Sequence, residues 1–307
     1  MAKTFKKIGG YKIEITNAEK ELFPDDGITK GEVVGYYERI AETMLPYLKD
    51  RPLALQRYPD GIEEEGFYQK EAADYFPDYV KRVRITLSDG SKQDEIVCNN
   101  AATLVYLANL GAITPHIWLS TTEAINNPDK LVFDLDPSDD DFSVVKEGAS
   151  DMRKVLERLG LTCFVMTTGS NGLHVVAPIK SEHGFSTVKE FARAVAQNLE
   201  AENPKFTTKV RKEKRRGRVF VDYLRNEYAQ TSVAPYALRA RPGAPVATPI
   251  DWEELSNSKL DSQSHTMENI FKRISRREDP WKDFSLNRAS LPELDALPEF
   301  EKENSAN

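Results

Sequence analysis

Asp134 and Asp136 are the residues of this sequence best placed to do chemistry. They lie in the run Leu131-Val132-Phe133-Asp134-Leu135-Asp136-Pro137, whose apolar character reads as a β-strand and whose proline ends it. Alternation along a strand puts both carboxylates on one face, about 7 Å apart at the backbone, and turns Leu135 to the other. Two like charges held that close need a cation. The apolar run before the pair and the breaker after it suggest the edge of a sheet, where α/β folds gather their chemistry. Three readings are open on these residues alone: a turn cap, a Mg²⁺ or Mn²⁺ site with positions left for substrate phosphates, or a phosphotransferase whose strand-end aspartate is the nucleophile.

Four further stretches could serve such a site. Asp222, closing the strand-like Val219-Phe220-Val221-Asp222, is a candidate third carboxylate; three on neighbouring strands can hold two divalent ions. In Thr167-Thr168-Gly169-Ser170-Asn171-Gly172-Leu173-His174 the glycines free the backbone to point amides and hydroxyls at an anion, and His174 beside the turn could donate to the same anion. Arg239 and Arg241 fall on one face of a strand expected from about Ser232 to Arg241, suited to bidentate grip on phosphate. Between Lys205 and Arg218 seven basic residues from Lys209 onward face the single acid Glu213, the natural place for a nucleic-acid backbone in an otherwise acidic chain.

The elements that must position these residues can be read from periodicity. Tyr11 to Thr16 alternates as a strand. Thr29 with Glu32 forms a capping box ahead of a helix carrying Val33, Tyr36, Tyr37, Ile40 and Met44. Leu53 to Tyr58, Gly66 to Lys70, Val80 to Leu87 and Glu95 to Cys98 read as strands, the last two joined by the polar loop Ser88 to Asp94. Asn99 or Asn100 caps a helix closed by Gly111, and Ile113 to Leu119 is a strand containing His116. After Pro137 the acidic Asp139 to Asp141 suit a helix amino terminus, with Gly160 as its stop. Strands Leu161 to Thr168 and Leu173 to Ile179 flank the glycine turn, and a helix follows from about Thr187 to Glu200. Trp252 to Leu255 and Met267 to Ile274 are helical candidates, and 301–307 should fray.

With 307 residues, 40% hydrophobic and 30% charged, the chain can bury a sizeable core. It has no apolar run near bilayer length, and its amino terminus has charges without the apolar segment of a secretory signal. A cytoplasmic protein without a membrane role is the expectation. Cys98 and Cys163 lack partners at metal-ligand spacing and read as buried thiols. A net charge of −7 excludes a protein that coats nucleic acid with its whole surface.

Taken in order, Val132-Phe-Asp-Leu-Asp-Pro137, Thr168-Gly-Ser-Asn-Gly-Leu-His174, Val219-Phe-Val-Asp-Tyr223 and Thr231-Ser-Val-Ala-Pro-Tyr-Ala-Leu-Arg-Ala-Arg241 resemble the archaeo-eukaryotic primase superfamily, and within it the polymerase domain of bacterial DNA ligase D. The resemblance runs from about Tyr11 to Leu255. It implies an α+β primase-polymerase fold in which an α/β module packs on an RRM-like module, with the active site in the cleft between them. It further implies a two-lobed domain over 1–300: an N-terminal module to about 120, the RRM-like module over 121–250, C-terminal helices over 251–300 and a tail at 301–307.

By the same resemblance Asp134, Asp136 and Asp222 bind two Mn²⁺ or Mg²⁺ ions. Thr168, Ser170, Asn171, His174, Arg239, Arg241 and His116 surround an incoming NTP or dNTP. Lys20 and Lys30 hold a 5′-phosphate at a DNA gap or break, and Phe67 with Tyr68 stacks on template bases, as ring faces can without sequence preference. The implied activity is templated extension of a primer 3′-hydroxyl with a ribonucleotide preference, in double-strand break repair by non-homologous end joining on nucleoid DNA. With no stretch left for a ligase or nuclease, a Ku-type end binder and a separate ligase are expected partners. Asn171 and Gln56 stand where ligase D domains carry lysine, and Thr168 where they carry serine. Two alternatives remain: a haloacid-dehalogenase-type phosphatase, and a non-catalytic DNA-end binder.

Overall fold

The structure is a computed structural model that describes residues 4–87, 89–138 and 141–293. Asp139, and with it part of the acidic helix start, lies outside the described residues, as do Ser88 and the tail at 301–307. In chain order the elements are β1 (Thr4–Ile8), β2 (Tyr11–Ile15), β3 (Glu21–Phe23), β4 (Ile28–Thr29), α1 (Lys30–Leu48), β5 (Pro52–Arg57), β6 (Phe67–Gln69), β7 (Lys81–Thr86), β8 (Lys92–Val97), α2 (Ala101–Asn109) and β9 (Ala112–Trp118). They continue with β10 (Lys130–Asp136), α3 (Phe142–Arg158), β11 (Phe164–Thr167), β12 (Leu173–Pro178), α4 (Phe185–Glu202), β13 (Phe206–Thr207), β14 (Val219–Asp222), β15 (Thr231–Val233), β16 (Thr248–Ile250) and α5 (Ile270–Ile274).

The chain divides into two units. Unit 1 comprises Met1–Glu123, Thr231–Thr248 and His265–Arg273; unit 2 comprises Ala124–Gln230, Pro249–Ser264 and Ile274–Asn307. This is the mixed helix and sheet, α+β, expected from the sequence.

Unit 2 runs β10-α3-β11-β12-α4-β14, with β10 antiparallel to both β12 and β14 and β11 beside β12. A β-α-β-β-α-β chain with this strand order is the ferredoxin-like arrangement, which is the RRM-like module. These four strands, antiparallel throughout, differ from the parallel doubly wound sheets that collect chemistry at strand ends. The two faces of the sheet divide by residue parity. Leu131, Phe133, Leu135, Leu173, Val175, Ala177, Val219 and Val221 turn inward onto Val145, Met152 and Leu156 of α3 and Val188, Val195 and Leu199 of α4. Asp134, Asp136, His174 and Asp222 therefore share the opposite face. β10 lies inside the sheet between β14 and β12, with Asp136 at its carboxyl end; a near-continuous apolar run is what an interior strand needs.

In unit 1 the sheet order is β15-β9-β5-β8-β7, with β6 paired on β5, and α1 and α2 pack together. The helix caps follow the sequence. Thr29 and Glu32 form a reciprocal capping box, and Asn100 accepts from the Thr103 amide. The strand expected over Ser232 to Arg241 shrinks to β15. Pro235 lacks the amide a ladder needs and Tyr236 takes a left-handed φ of 66°, so only an isolated bridge, Leu238 with Val246, follows. Both cysteines are free and buried, and burial pushes each thiol up to about 12. Among the described residues no helix is long and apolar enough to cross a membrane.

Glu95 on β8 is fully buried. Burial pushes its carboxyl from 4.5 up to about 7, with the Lys70 charge and the Trp118 indole pulling the other way. Between pH 4.5 and 7 the unfolded chain gives up this proton while the folded chain keeps it, so stability falls as pH rises through that window. Glu95→Gln removes the dependence. Urea unfolding at pH 5 and pH 8 should show the variant gaining on the wild type by about 2.5 kcal/mol at the higher pH.

Candidate functional site

Register in unit 2 sets a row of side chains across four strands: Met166 opposite His174, His174 opposite Asp134, and Asp134 opposite Asp222. Asp136, two residues along β10, lies opposite Phe220 and on the same face as Asp134. The three carboxylates thus occupy neighbouring positions of one sheet face. Like charges directly opposite in an antiparallel pair destabilise it, and the structure supplies two compensations. Arg225, on the 3₁₀ turn after β14, approaches both partners, its Nη2 3.4 Å from Asp134 Oδ2 and its Nε 3.5 Å from Asp222 Oδ2. His174 Nε2 is 3.4 Å from Asp134 Oδ1. Burial opposes Arg225's charge, yet the three carboxylates outweigh it and raise its pKa further.

The patch is short of positive charge nevertheless. Burial, and then repulsion from Asp134, push Asp136 up to about 7. Asp222 is raised as well, chiefly by burial, although Arg225 acts against it. Its Oδ1 also accepts from the Leu224 amide at 2.8 Å, so Asp222 closes its own strand while facing the site. Among the described residues no three His, Cys, Asp or Glu side chains converge on one metal-ion position, and Arg225 lies between Asp134 and Asp222. In donor chemistry the trio fits hard divalent ions: oxygen ligands only, one patch, and charge left to neutralise.

The turn from Gly169 to Gly172 closes against this patch. Thr168 is buried and its hydroxyl is used internally: it lies 3.1 Å from the Gly172 carbonyl and accepts from the amides of Ser170 and Gly172. The Gly169 amide donates to the Ser262 carbonyl, Ser262 Oγ donates to the Gly172 carbonyl, and Gln263 donates to the Ser170 carbonyl. Ser170 and Asn171 line a cavity of about 480 Å³ with Ser138, Lys212 and Gln263. Ser262, Gln263 and Arg225 had no motif to mark them, whereas Lys212 belongs to the basic run read from the sequence. Of those three, Arg225 alone carried a signal, as a cation three residues after a strand-end aspartate.

Unit 1 gathers a second group. Tyr68 packs edge-on to His116, ring centroids 5.7 Å apart. Gln56, opposite Tyr68 in the β5–β6 pair, donates to the Tyr58 hydroxyl at 2.7 Å. Burial raises the Tyr58 phenol, as does Tyr68, against the opposing charges of Arg239 and Arg241, so both arginines lie within electrostatic reach of that ring. They sit on an irregular segment around the Leu238–Val246 bridge instead of a strand face. Phe67 and Tyr68 are 46% and 58% exposed, which excludes core packing, and adjacent strand positions turn them to opposite faces.

Lys20 and Lys30 are joined through the backbone, Lys30 N–H to Lys20 carbonyl at 2.7 Å. Lys30 is buried and donates to Thr16 Oγ1 at 3.1 Å; burial lowers its pKa, and Lys20 lowers it further. Lys20 forms an ion pair with Asp60.

A carboxylate patch, a histidine and a clamped glycine turn on the face of a ferredoxin-like sheet opposite its helices are suited to phosphate chemistry of the nucleotidyltransferase class. The chain belongs to the family described as the LigD primase-polymerase domain, whose model matches residues 29–281. It is 34% identical over 253 residues to the multifunctional non-homologous end joining protein LigD of Mycolicibacterium smegmatis, covering 81% of this chain and 33% of that protein. It is 29% identical to the bifunctional non-homologous end joining protein LigD of Bacillus subtilis, covering 95% and 47%. The chain therefore spans between a third and a half of these relatives. Among solved structures, the polymerase domain from Mycobacterium tuberculosis ligase D in complex with DNA matches with a TM-score of 0.83 and 29% identity, covering 90% of this chain and 99% of that one.

Gly172 has no room for a side chain. A Cβ there would overlap the Leu135 carbonyl oxygen and lie 3.2 Å from Asp136 Oδ1, contacts that only a shift of the β10 backbone relieves. Gly172→Ala should cost roughly 1–3 kcal/mol of stability, read as a lowered melting temperature, whereas Asn171→Ala, at an exposed position of the same turn, should leave it unchanged.

Proposed function

We propose that this chain is a template-directed nucleotidyltransferase that extends a primer 3′-hydroxyl at DNA gaps and broken ends, using NTPs in preference to dNTPs, in end joining. The observation that carries this reading is the meeting of Asp134, Asp136 and Asp222 on one face beside the Gly169–Gly172 turn, in a chain of the primase-polymerase family. Two divalent ions, Mn²⁺ or Mg²⁺, held by the three aspartates would supply activation of the attacking hydroxyl and neutralise the leaving pyrophosphate.

The chain's own residues do the positioning that phosphoryl transfer mainly requires. Arg225 keeps the ionised aspartates from repelling one another before substrate binds. His174 orients Asp134 and offers a donor to the nucleotide. Thr168 sets the turn from which Ser170 and Asn171 face the phosphates. In unit 1, Arg239, Arg241 and His116 form a nucleotide-contacting group, Phe67 and Tyr68 present ring faces to template bases, and Lys20 with Lys30 takes the 5′-phosphate. A Ku-type end binder and a separate ligase complete the repair, which takes place in the cytoplasm.

The test is primer extension on a 5′-phosphorylated gap with NTP or dNTP and with Mg²⁺ or Mn²⁺. Wild type should extend the primer, and Asp136→Ala should lose at least a hundredfold in rate. Metal-dependent hydrolysis of small phosphate esters without extension would point to a phosphatase, and no extension with either ion would leave a DNA-end binder. Lys20→Ala with Lys30→Ala should weaken binding to 5′-phosphorylated gaps more than to unphosphorylated ones; equal loss would remove the phosphate role of these lysines.

A further inference from the structure

The paired lysines of unit 1 already have an anion. The Asp60 carboxylate sits on Lys20, and it is held there by its backbone. Its turn is closed by Gly61 N–H to the Tyr58 carbonyl at 3.3 Å, and tied on either side by Tyr58 N–H to Gly111 and by Ile62 N–H to Leu22, the latter in β3 just past Lys20. Gly61 adopts a φ of +107°, a conformation other residues rarely enter, with the β3 backbone 3.4 Å from where its Cβ would be. The main chain thus brings the carboxylate to the lysine, while the side chain itself is 70% exposed and free to swing outward.

Lys20 and Lys30 together carry two positive charges against this single carboxylate. A terminal phosphate brings up to two negative charges and three acceptor oxygens, enough to engage both ammonium groups, and an Asp60 carboxylate left on Lys20 would repel it. We infer that Asp60 is the resident counter-ion of the 5′-phosphate pocket, that a terminal phosphate must displace it from Lys20, and that Asp60 thereby sets how sharply the protein distinguishes phosphorylated from unphosphorylated DNA ends. This rests on the reading of Lys20 and Lys30 as the phosphate site and adds a residue that works against binding. An internal competitor lowers affinity for the intended ligand.

The experiment uses the full chain and fluorescence anisotropy on gapped duplexes bearing a 5′-phosphate or a 5′-hydroxyl at the gap. Asp60→Asn should tighten binding to the phosphorylated gap by about two- to fivefold, the range expected on removing a competitor held by an exposed ion pair. Binding to the hydroxyl gap should change less, so the ratio of the two affinities rises. Glu63→Gln, at an exposed acid in the same loop, controls for overall charge and should shift both affinities together. If Asp60→Asn moves both affinities by the same factor, or neither, Asp60 is not a competitor and the inference falls while the pocket stands. If the wild type does not distinguish the two ends and Lys20→Ala changes neither affinity, the pocket itself is wrong. Melting temperatures of all variants check that the fold is kept.

Discussion

The site is organised around a repulsion. Asp134 and Asp222 face each other across an antiparallel pair, and two full charges about 5 Å apart repel by roughly 3 kcal/mol at an effective dielectric near 20. The sheet cannot relieve this by moving, because Leu135 and Val221 on the reverse of the same strands are locked into the core under α3 and α4. Packing on one face therefore fixes an electrostatic strain on the other. The strain shows in an arginine drawn over the carboxylates, while burial, with repulsion from Asp134 added, pushes the Asp136 carboxyl up to about 7.

The surrounding residues follow from that constraint. Arg225 can reach both aspartates because the chain leaves the sheet immediately after Asp222 in a 3₁₀ turn. The glycine turn approaches β10 because Gly172 lacks a side chain where the Leu135 carbonyl passes. Its shape is then fixed twice, by the Thr168 hydroxyl from within and by Ser262 from a segment some ninety residues downstream. Substituting serine by threonine at a position whose hydroxyl is buried and internally bonded preserves the oxygen and adds only a methyl group.

Much of this was legible in the sequence. Parity along Leu131–Asp136 separated core from carboxylates, Thr29 with Glu32 marked a helix start that the structure keeps, and the motif order gave the family. What the sequence concealed is non-local. The position of β10 inside the sheet depends on which strands pair with it, and an apolar run ended by proline fits an edge or an interior strand equally. Arg239 and Arg241 alternate like strand residues, but Pro235 and the left-handed Tyr236 interrupt the ladder before reaching them. Ser262 matters through contacts that no local pattern announces, and Arg225 is hinted at only by its place three residues after Asp222. Phe67 and Tyr68 were legible as aromatics but not as exposed ones, since exposure depends on what the rest of unit 1 leaves uncovered.

Asn226, at the end of the 3₁₀ turn after β14, extends the logic of that strand. Fully buried, it accepts from the Val132 amide at 2.9 Å and donates to the Val132 carbonyl at 2.8 Å, so its side chain stands in for the strand neighbour that β14 no longer provides. An amide offers one donor and one acceptor in the order that a backbone would. Aspartate, nearly identical in shape, would set a lone pair against the Val132 carbonyl and place a fourth negative charge behind the site. Chemical ageing of this one side chain by loss of ammonia would thus unpick the sheet beneath the carboxylates, and its enclosure, which keeps hydrolytic water out, doubles as protection for the protein's working lifetime.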